Sequence, residues 1–155
     1  MNIDFRWIPK STGCGIYAII NTFNLTVYVG CTRNLRRRAQ SHKYSIESGK
    51  HANNKLQKAA EKGIIHFIVL EELPEDVSDS IMSLKEMMYI LDFCKRPKYT
   101  VCNREAENVD CLESKIIFYL GRYWKVEENV KEKFKESYGT EPWNMAERNK
   151  ERRVV

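Results

Sequence analysis

Apolar and polar residues alternate with a period of two over residues 15–21, and again over residues 25–30. That period marks half-buried strands. Asn21-Thr22-Phe23-Asn24 lies between them and predicts a hairpin turn. The alternation puts Ile16, Ala18 and Ile20 on one face, with Tyr17 and Ile19 on the other. In the second strand Val27 and Val29 share a face, and Thr26, Tyr28 and Gly30 lie opposite. Residues 1–14 carry no such pattern and read as an irregular lead-in.

The period then changes. Leu35, Arg38, His42 and Ile46 recur at three- and four-residue steps, so they share a stripe of a helix that Thr32 or Asn34 can cap. An arginine and a histidine in an apolar stripe are poor choices for packing alone. A second helix is predicted over residues 52–62, stopped by Gly63. Residues 64–70 are apolar and β-branched, and read as a central strand. The next helix, residues 79–93, is apolar round most of its circumference, yet Glu86 sits between Met82 and Ile90. A carboxylate in that setting is paired or functional. Residues 99–103 look extended, and residues 104–110 are polar and read as a linker. Leu112, Ile116, Ile117, Leu120 and Tyr123 form another helical stripe; a charged helix is expected over residues 126–138, before a highly charged end.

Composition narrows the class. Hydrophobic residues make up 43% of the 155, enough for a buried core. No apolar run approaches the roughly 20 residues of a membrane span, and residues 1–10 lack a signal-peptide stretch, so a soluble, cytoplasmic protein is expected. The five cysteines show no CxxC pair and no zinc-type spacing, and read as reduced thiols. Net charge is +5, but residues 31–62 carry nine cations against two acids, a local excess of +7. Such a patch suits a polyanion as well as a solvated helix face.

Gly15-Ile16-Tyr17, about ten residues, and then Tyr28-Val29-Gly30 resemble the signature of the GIY-YIG nuclease superfamily. The resemblance continues through Thr32 to Arg38, His42, the stretch from Asn54 to Ala60, Val69-Leu70-Glu71-Glu72 and the helix bearing Lys85-Glu86. It implies an α+β fold, a small antiparallel three-stranded sheet flanked by helices, over residues 13–103. Residues 104–155 would form a helical C-terminal extension. It also implies an endonuclease that hydrolyses phosphodiester bonds of DNA with one divalent ion, Mg2+, for which Mn2+ can substitute.

The implied catalytic residues are Tyr17, Tyr28, Arg38, His42 and Glu86, with Glu86 the metal ligand. A single carboxylate plus substrate phosphate can hold magnesium, which prefers oxygen ligands and keeps several waters. Arg38 offers a permanently charged donor set for phosphate oxygens. A tyrosine acts as a base only where cations favour its phenolate. Similarity to other members favours Tyr17 as the base, and the opposite assignment of the two tyrosines stays open. Arg33, Arg36, Arg37, Lys43, His51, Lys55, Lys58 and Asn103 are the expected nucleic-acid contacts. Some stand-alone members place the metal glutamate close to a Pro-Trp-Asn end; here that mapping would select Glu113 with Pro142-Trp143-Asn144. The shorter connection from the strand at residues 64–70 favours Glu86.

Plainer roles exist for each residue: adjacent-strand tyrosines often pack as a pair, and Glu86 could pair with Lys85, Arg38 or Lys43. Alternatives at the level of function are an inactive nucleic-acid-binding module, or a nuclease acting on RNA or on branched or damaged DNA. A homodimer is one way for so small a nuclease to cut both strands.

Overall fold

The computed structural model describes residues 4–124, with side chains described over residues 6–121. The strands are β1 (Asp4–Arg6), β2 (Cys14–Asn21), β3 (Thr26–Thr32), β4 (Ile64–Leu73) and β5 (Thr100–Val101). The helices are α1 (Leu35–Glu47), α2 (Asn54–Ala60), α3 (Asp79–Cys94) and α4 (Val109–Trp124), with a 3-10 helix at Arg104–Glu107. The expected charged helix at residues 126–138 and the Pro142-Trp143-Asn144 segment lie outside the described residues.

β2, β3 and β4 form the expected antiparallel trio, with β2 at the centre. Two short strands extend it, giving the order β1-β4-β2-β3-β5. Both additions are parallel to their neighbours. β1 falls in the expected lead-in and β5 has two residues, too short for alternation to declare itself. The polar segment after Asn103 is likewise a turn of 3-10 helix, not open linker.

Alternation sorts the core into two layers. Ile16, Ala18, Val27 and Val29 point toward α3 and α4 and join Met82, Met88, Ile90, Leu112, Ile116 and Leu120. Tyr17 and Ile19 point the other way and join Leu35, Ala39, Ile46, Leu56 and Phe67. Each fully buried aliphatic or aromatic side chain contributes about 1.5–3 kcal/mol, so both faces of the sheet are strongly specified. α4 is tied to α3 by apolar contact and by an enclosed ion pair, Lys95 Nζ to Glu113 Oε1 at 3.0 Å.

The hairpin closes through Asn21, whose Oδ1 accepts from Phe23 N at 2.8 Å and whose Nδ2 donates to Ala59 O at 2.7 Å. One buried amide thus holds the turn and the end of α2 together. Gly63 follows that helix at φ +91°, a backbone that favours glycine.

Candidate active site

The two motif glycines have separate steric reasons. A Cβ on Gly15 would stand 2.7 Å from the Glu71 carbonyl oxygen and 2.9 Å from a Leu35 methyl. Gly30 is opposite Tyr17 in the β2–β3 ladder, and the Tyr17 ring lies across it. A Cβ on Gly30 would meet Cζ of Tyr17 at 2.4 Å. Tyr17 is therefore laid flat along the sheet, stacked on Phe67 with ring centroids 4.6 Å apart. An irregularity in the β2–β4 pairing, between Ile16 and Tyr17, sits at this point. It is the kind of local break that re-aims a side chain.

α1 begins where Asn34 Oδ1 accepts from Arg37 N at 3.0 Å. Its buried stripe is Leu35, Ala39, His42 and Ile46. Arg38 lies beside that stripe, exposed along its length, with its head over the tyrosine. Arg38 Nε donates to Tyr17 Oη at 3.2 Å, and His42 Nε2 lies 2.7 Å from the same oxygen. Behind it, His42 Nδ1 is 2.8 Å from His51 Nε2, the two rings stacked 5.1 Å apart. His51 in turn accepts at Nδ1 from Asn53 N at 3.0 Å.

Burial dominates the electrostatics. It holds the Tyr17 hydroxyl above the ordinary tyrosine value, while the Arg38 hydrogen bond and charge pull the other way. Tyr28 is raised for the same reason, with Arg38 again opposing. Burial lowers His42 to about 3, helped by the charge of Arg38, so the ring is neutral at neutral pH. His51 is lowered by burial too.

Among the described residues β5 pairs with Thr26 and Val27, which leaves the far end of β3 as an open edge. Asn103 clamps the boundary: its Oδ1 accepts from Val29 N at 2.9 Å and its Nδ2 donates to Val29 O at 2.7 Å. Round this edge the two faces of the sheet meet in a cleft of about 590 Å³. Tyr28, Arg38 and His42 reach it from one face and Glu86 from the other. The thiol and the backbone N–H of Cys31 draw the Glu86 carboxyl down, but burial outweighs them and raises it above the usual range. That thiol is itself pushed up to about 12, first by burial and then by Glu86. Lys85, a candidate partner for Glu86, binds Glu71 instead.

The donor set suits a hard cation of the magnesium type. No cluster of three or more His, Cys, Asp or Glu able to hold a metal occurs among the described residues. Glu86 shares the open, polar cleft with Glu105 and with Glu107, which pairs with Lys55, and one carboxylate ligand leaves positions for water and a phosphate.

The other expected site residues fall into three groups. Arg36, Arg37 and Lys58 are exposed, and Lys43 is partly so, 4.0 Å from Glu47. Lys55 lines the cleft and pairs with Glu107 at 3.3 Å. Arg33, His51 and Asn103 are engaged within the protein, and the last two also line the cleft. Arg33 ties down the β4–α3 connection through Glu75 O, Val77 O and Asp79. His51 is buried behind His42, and Asn103 spends its amide on Val29. Glu113 is buried against Lys95 and is not part of the cleft.

Sequence reading assigned no role to Asn53, Gln57, Cys31 or Glu105. Gln57 Oε1 accepts from His51 N at 3.0 Å, and its Nε2 donates to Ile46 O at 3.1 Å. Asn53 caps α2 through Leu56 N and donates to Cys102 O at 3.0 Å. Asn53 shows in the sequence only as a cap residue, and Gln57 only as part of the motif-like stretch.

Comparison with known proteins meets this geometry. The profile of the GIY-YIG catalytic domain matches residues 13–79. Intron-associated endonuclease 1 of Enterobacteria phage T4 is 39% identical over 62 residues, which cover 39% of this chain. The chain spans about a quarter of that protein's length: the match covers 25% of it. The solved catalytic domain of the homing endonuclease I-TevI superposes with a TM-score of 0.50 at 28% identity, over 57% of this chain and 96% of that one. A second structure of that domain, a mutant, gives 0.49 at 28%, over 56% and 89%. Residues 13–79, with the hairpin and first helices they build, belong to the GIY-YIG family.

Proposed function

We propose that this chain is a DNA endonuclease that hydrolyses a phosphodiester bond at the open edge of β3 with one divalent metal ion. One observation carries the reading. Arg38, Tyr28 and His42 reach a single cleft from one face of the sheet, and Glu86 enters it from the other. The endonuclease names of the related proteins support the same reading.

Arg38 binds and orients the phosphate, and its guanidinium opposes the charge that grows on the non-bridging oxygens. Glu86 would hold the ion, with the Cys31 thiol and N–H beside it. When bound, the divalent ion supplies charge neutralisation at the phosphoryl group and the leaving oxygen. Tyr17, as its phenolate, is the base that takes a proton from the attacking water as the new oxygen–phosphorus bond forms and the bond to the leaving oxygen breaks. Its oxygen lies 2.7 Å from His42 Nε2, with the Arg38 Nε–H over it at 3.2 Å. Arg38 Nε stays on that oxygen while its terminal nitrogens take the phosphate. The exposed side of α1, with Arg36, Arg37 and the 75%-exposed Tyr44, continues from the cleft as the surface for the flanking DNA backbone.

A second assignment rests on one observation: Tyr28 lines the cleft, whereas Tyr17 is 1% exposed. Tyr28 would then be the base and Tyr17 a spacer for Arg38.

The test is digestion of supercoiled plasmid by wild type and Glu86→Ala, with magnesium or with chelator. Cleavage by wild type with magnesium alone, and none by folded Glu86→Ala, is expected. Full cleavage by the variant, or cleavage indifferent to chelator, contradicts the proposal.

A further inference from the structure

We infer that the hydrogen bonds behind Tyr17 run in one direction only, from the Asn53 backbone through His51 and His42. Tyr17 Oη is then an acceptor from both His42 and Arg38, and His51 and Gln57 are positioning residues that fix this polarity. The inference rests on the reading of Tyr17 as the base.

The chain starts at a donor whose proton cannot move. Asn53 N–H points at His51 Nδ1 from 3.0 Å, so that nitrogen offers its lone pair and carries no proton. The proton of neutral His51 is then on Nε2, 2.8 Å from His42 Nδ1. His42 Nδ1 must accept, which places the His42 proton on Nε2, 2.7 Å from Tyr17 Oη. Arg38 Nε can only donate, and it reaches the same oxygen at 3.2 Å. The Tyr17 proton is left with the remaining direction about its oxygen. Its phenolate would find two N–H donors already in place, without rearrangement. With His42 in the opposite tautomer, Nε2 would accept the Tyr17 proton and hold it.

Gln57 makes the arrangement unique. Its amide spans His51 N and Ile46 O, an acceptor on one side and a donor on the other, which also fixes its own orientation. It thereby ties His51, three residues before α2, to the end of α1. The groups that face Tyr17 are Arg38 and His42 from α1, Tyr28 from β3 and Glu86 from α3, with Phe67 stacked on it from β4. His42 is faced by Arg38 and His51, and His51 by Arg38 as well. Burial keeps both imidazoles neutral, as the tautomer assignment requires.

The test has two parts. Nitrogen-15 correlation spectra of the imidazoles in the full chain near pH 7.5 report tautomers directly. Protons on Nε2 of both His42 and His51 are expected, and a proton on Nδ1 of either ring overturns the inference, whatever the protein cleaves. His51→Leu removes the donor to His42, whereas His51→Gln offers an N–H in its place. Under single-turnover conditions the rise of cleavage with pH should move by about one unit toward alkaline in His51→Leu, the size of one lost charge-assisted hydrogen bond. His51→Gln should restore it, and Gln57→Ala should shift it in the same direction as His51→Leu. Correct tautomers with no shift in any folded variant also overturn the positioning role. Full activity in Tyr17→Phe would defeat the base assignment separately, leaving the tautomer result intact.

Discussion

Gly30→Ala isolates the packing that creates the site. The added Cβ would stand 2.3 Å from Tyr17 Oη. Ordinary carbon contacts begin near 3.5 Å, so the tyrosine oxygen must retreat by about 1 Å. It has nowhere to go, because Phe67 stacks on the same ring at 4.6 Å and Tyr17 is 1% exposed. Overpacking of this kind costs about 1–3 kcal/mol. Each hydrogen bond lost to Arg38 or His42 adds about 1 kcal/mol. A total of about 3–5 kcal/mol should lower the melting temperature by about 10 °C in a chain of this size. Where the variant still folds, a 1 Å displacement of a reacting group should cost on the order of 100-fold in cleavage rate. The assays are thermal melting followed by circular dichroism, and single-turnover plasmid cleavage below the new midpoint. Gly121→Ala is the control: nothing lies within 4 Å of its Cβ position, and alanine in a helix should be neutral or stabilise by up to about 1 kcal/mol. A Gly30→Ala protein that melts within 2 °C of wild type and cleaves at the wild-type rate would refute the reasoning.

Tyr17→Phe should lower the cleavage rate by about 10²–10⁴-fold, the usual weight of a general base, and flatten its rise with pH, whereas Tyr28→Phe should keep that rise. The reverse pattern selects Tyr28. Acid should loosen the fold early. His42 takes a proton near pH 3 in the folded state against an ordinary 6.5, so its contribution is intact above about pH 6.5 and lost as pH falls below it, at up to about 1.4 kcal/mol per unit. Urea melts at pH 7, 6 and 5 measure this, and His42→Gln should reduce the slope. Glu113→Gln should destabilise by roughly 3–5 kcal/mol through the enclosed pair with Lys95, yet leave cleavage per folded molecule unchanged. Loss of cleavage in folded Glu113→Gln would return that residue to the metal site.

Much of the fold was legible because period and face are written in residue type. Ile16, Ala18, Val27 and Val29 sort to one layer, and Tyr17 and Ile19 to the other, as alternation requires. Asn34 as a helix cap and Gly63 as a stop follow from local chemistry. β1 escapes the pattern, and β5 reads as extended without a place in the sheet, because they have three and two residues, held by neighbours remote in sequence. In the site, the spacing of Arg38 and His42 pointed to one helical neighbourhood. It did not show that Arg38 lies beside the buried stripe, over Tyr17. A sum of charges placed Arg33 at the nucleic-acid surface, but charge alone cannot reveal three partners in the loop before α3. His51 and Asn103, expected at the nucleic acid from the resemblance, line the cleft and are also tied inward. Their hydrogen bonds reach Asn53 N and the Val29 backbone, and only tertiary geometry shows that.

The proposed place of cleavage is where Arg38 meets the open edge of β3. The most direct measurement is single-turnover digestion of plasmid DNA with magnesium by wild type and Arg38→Ala, with the product ends sequenced. Phosphodiester cuts by wild type, and at least a 100-fold loss in a variant that melts like wild type, are predicted, on the scale of one lost transition-state donor. Equal cutting by a folded Arg38→Ala protein, at the same sites and with the same ends, would contradict the account.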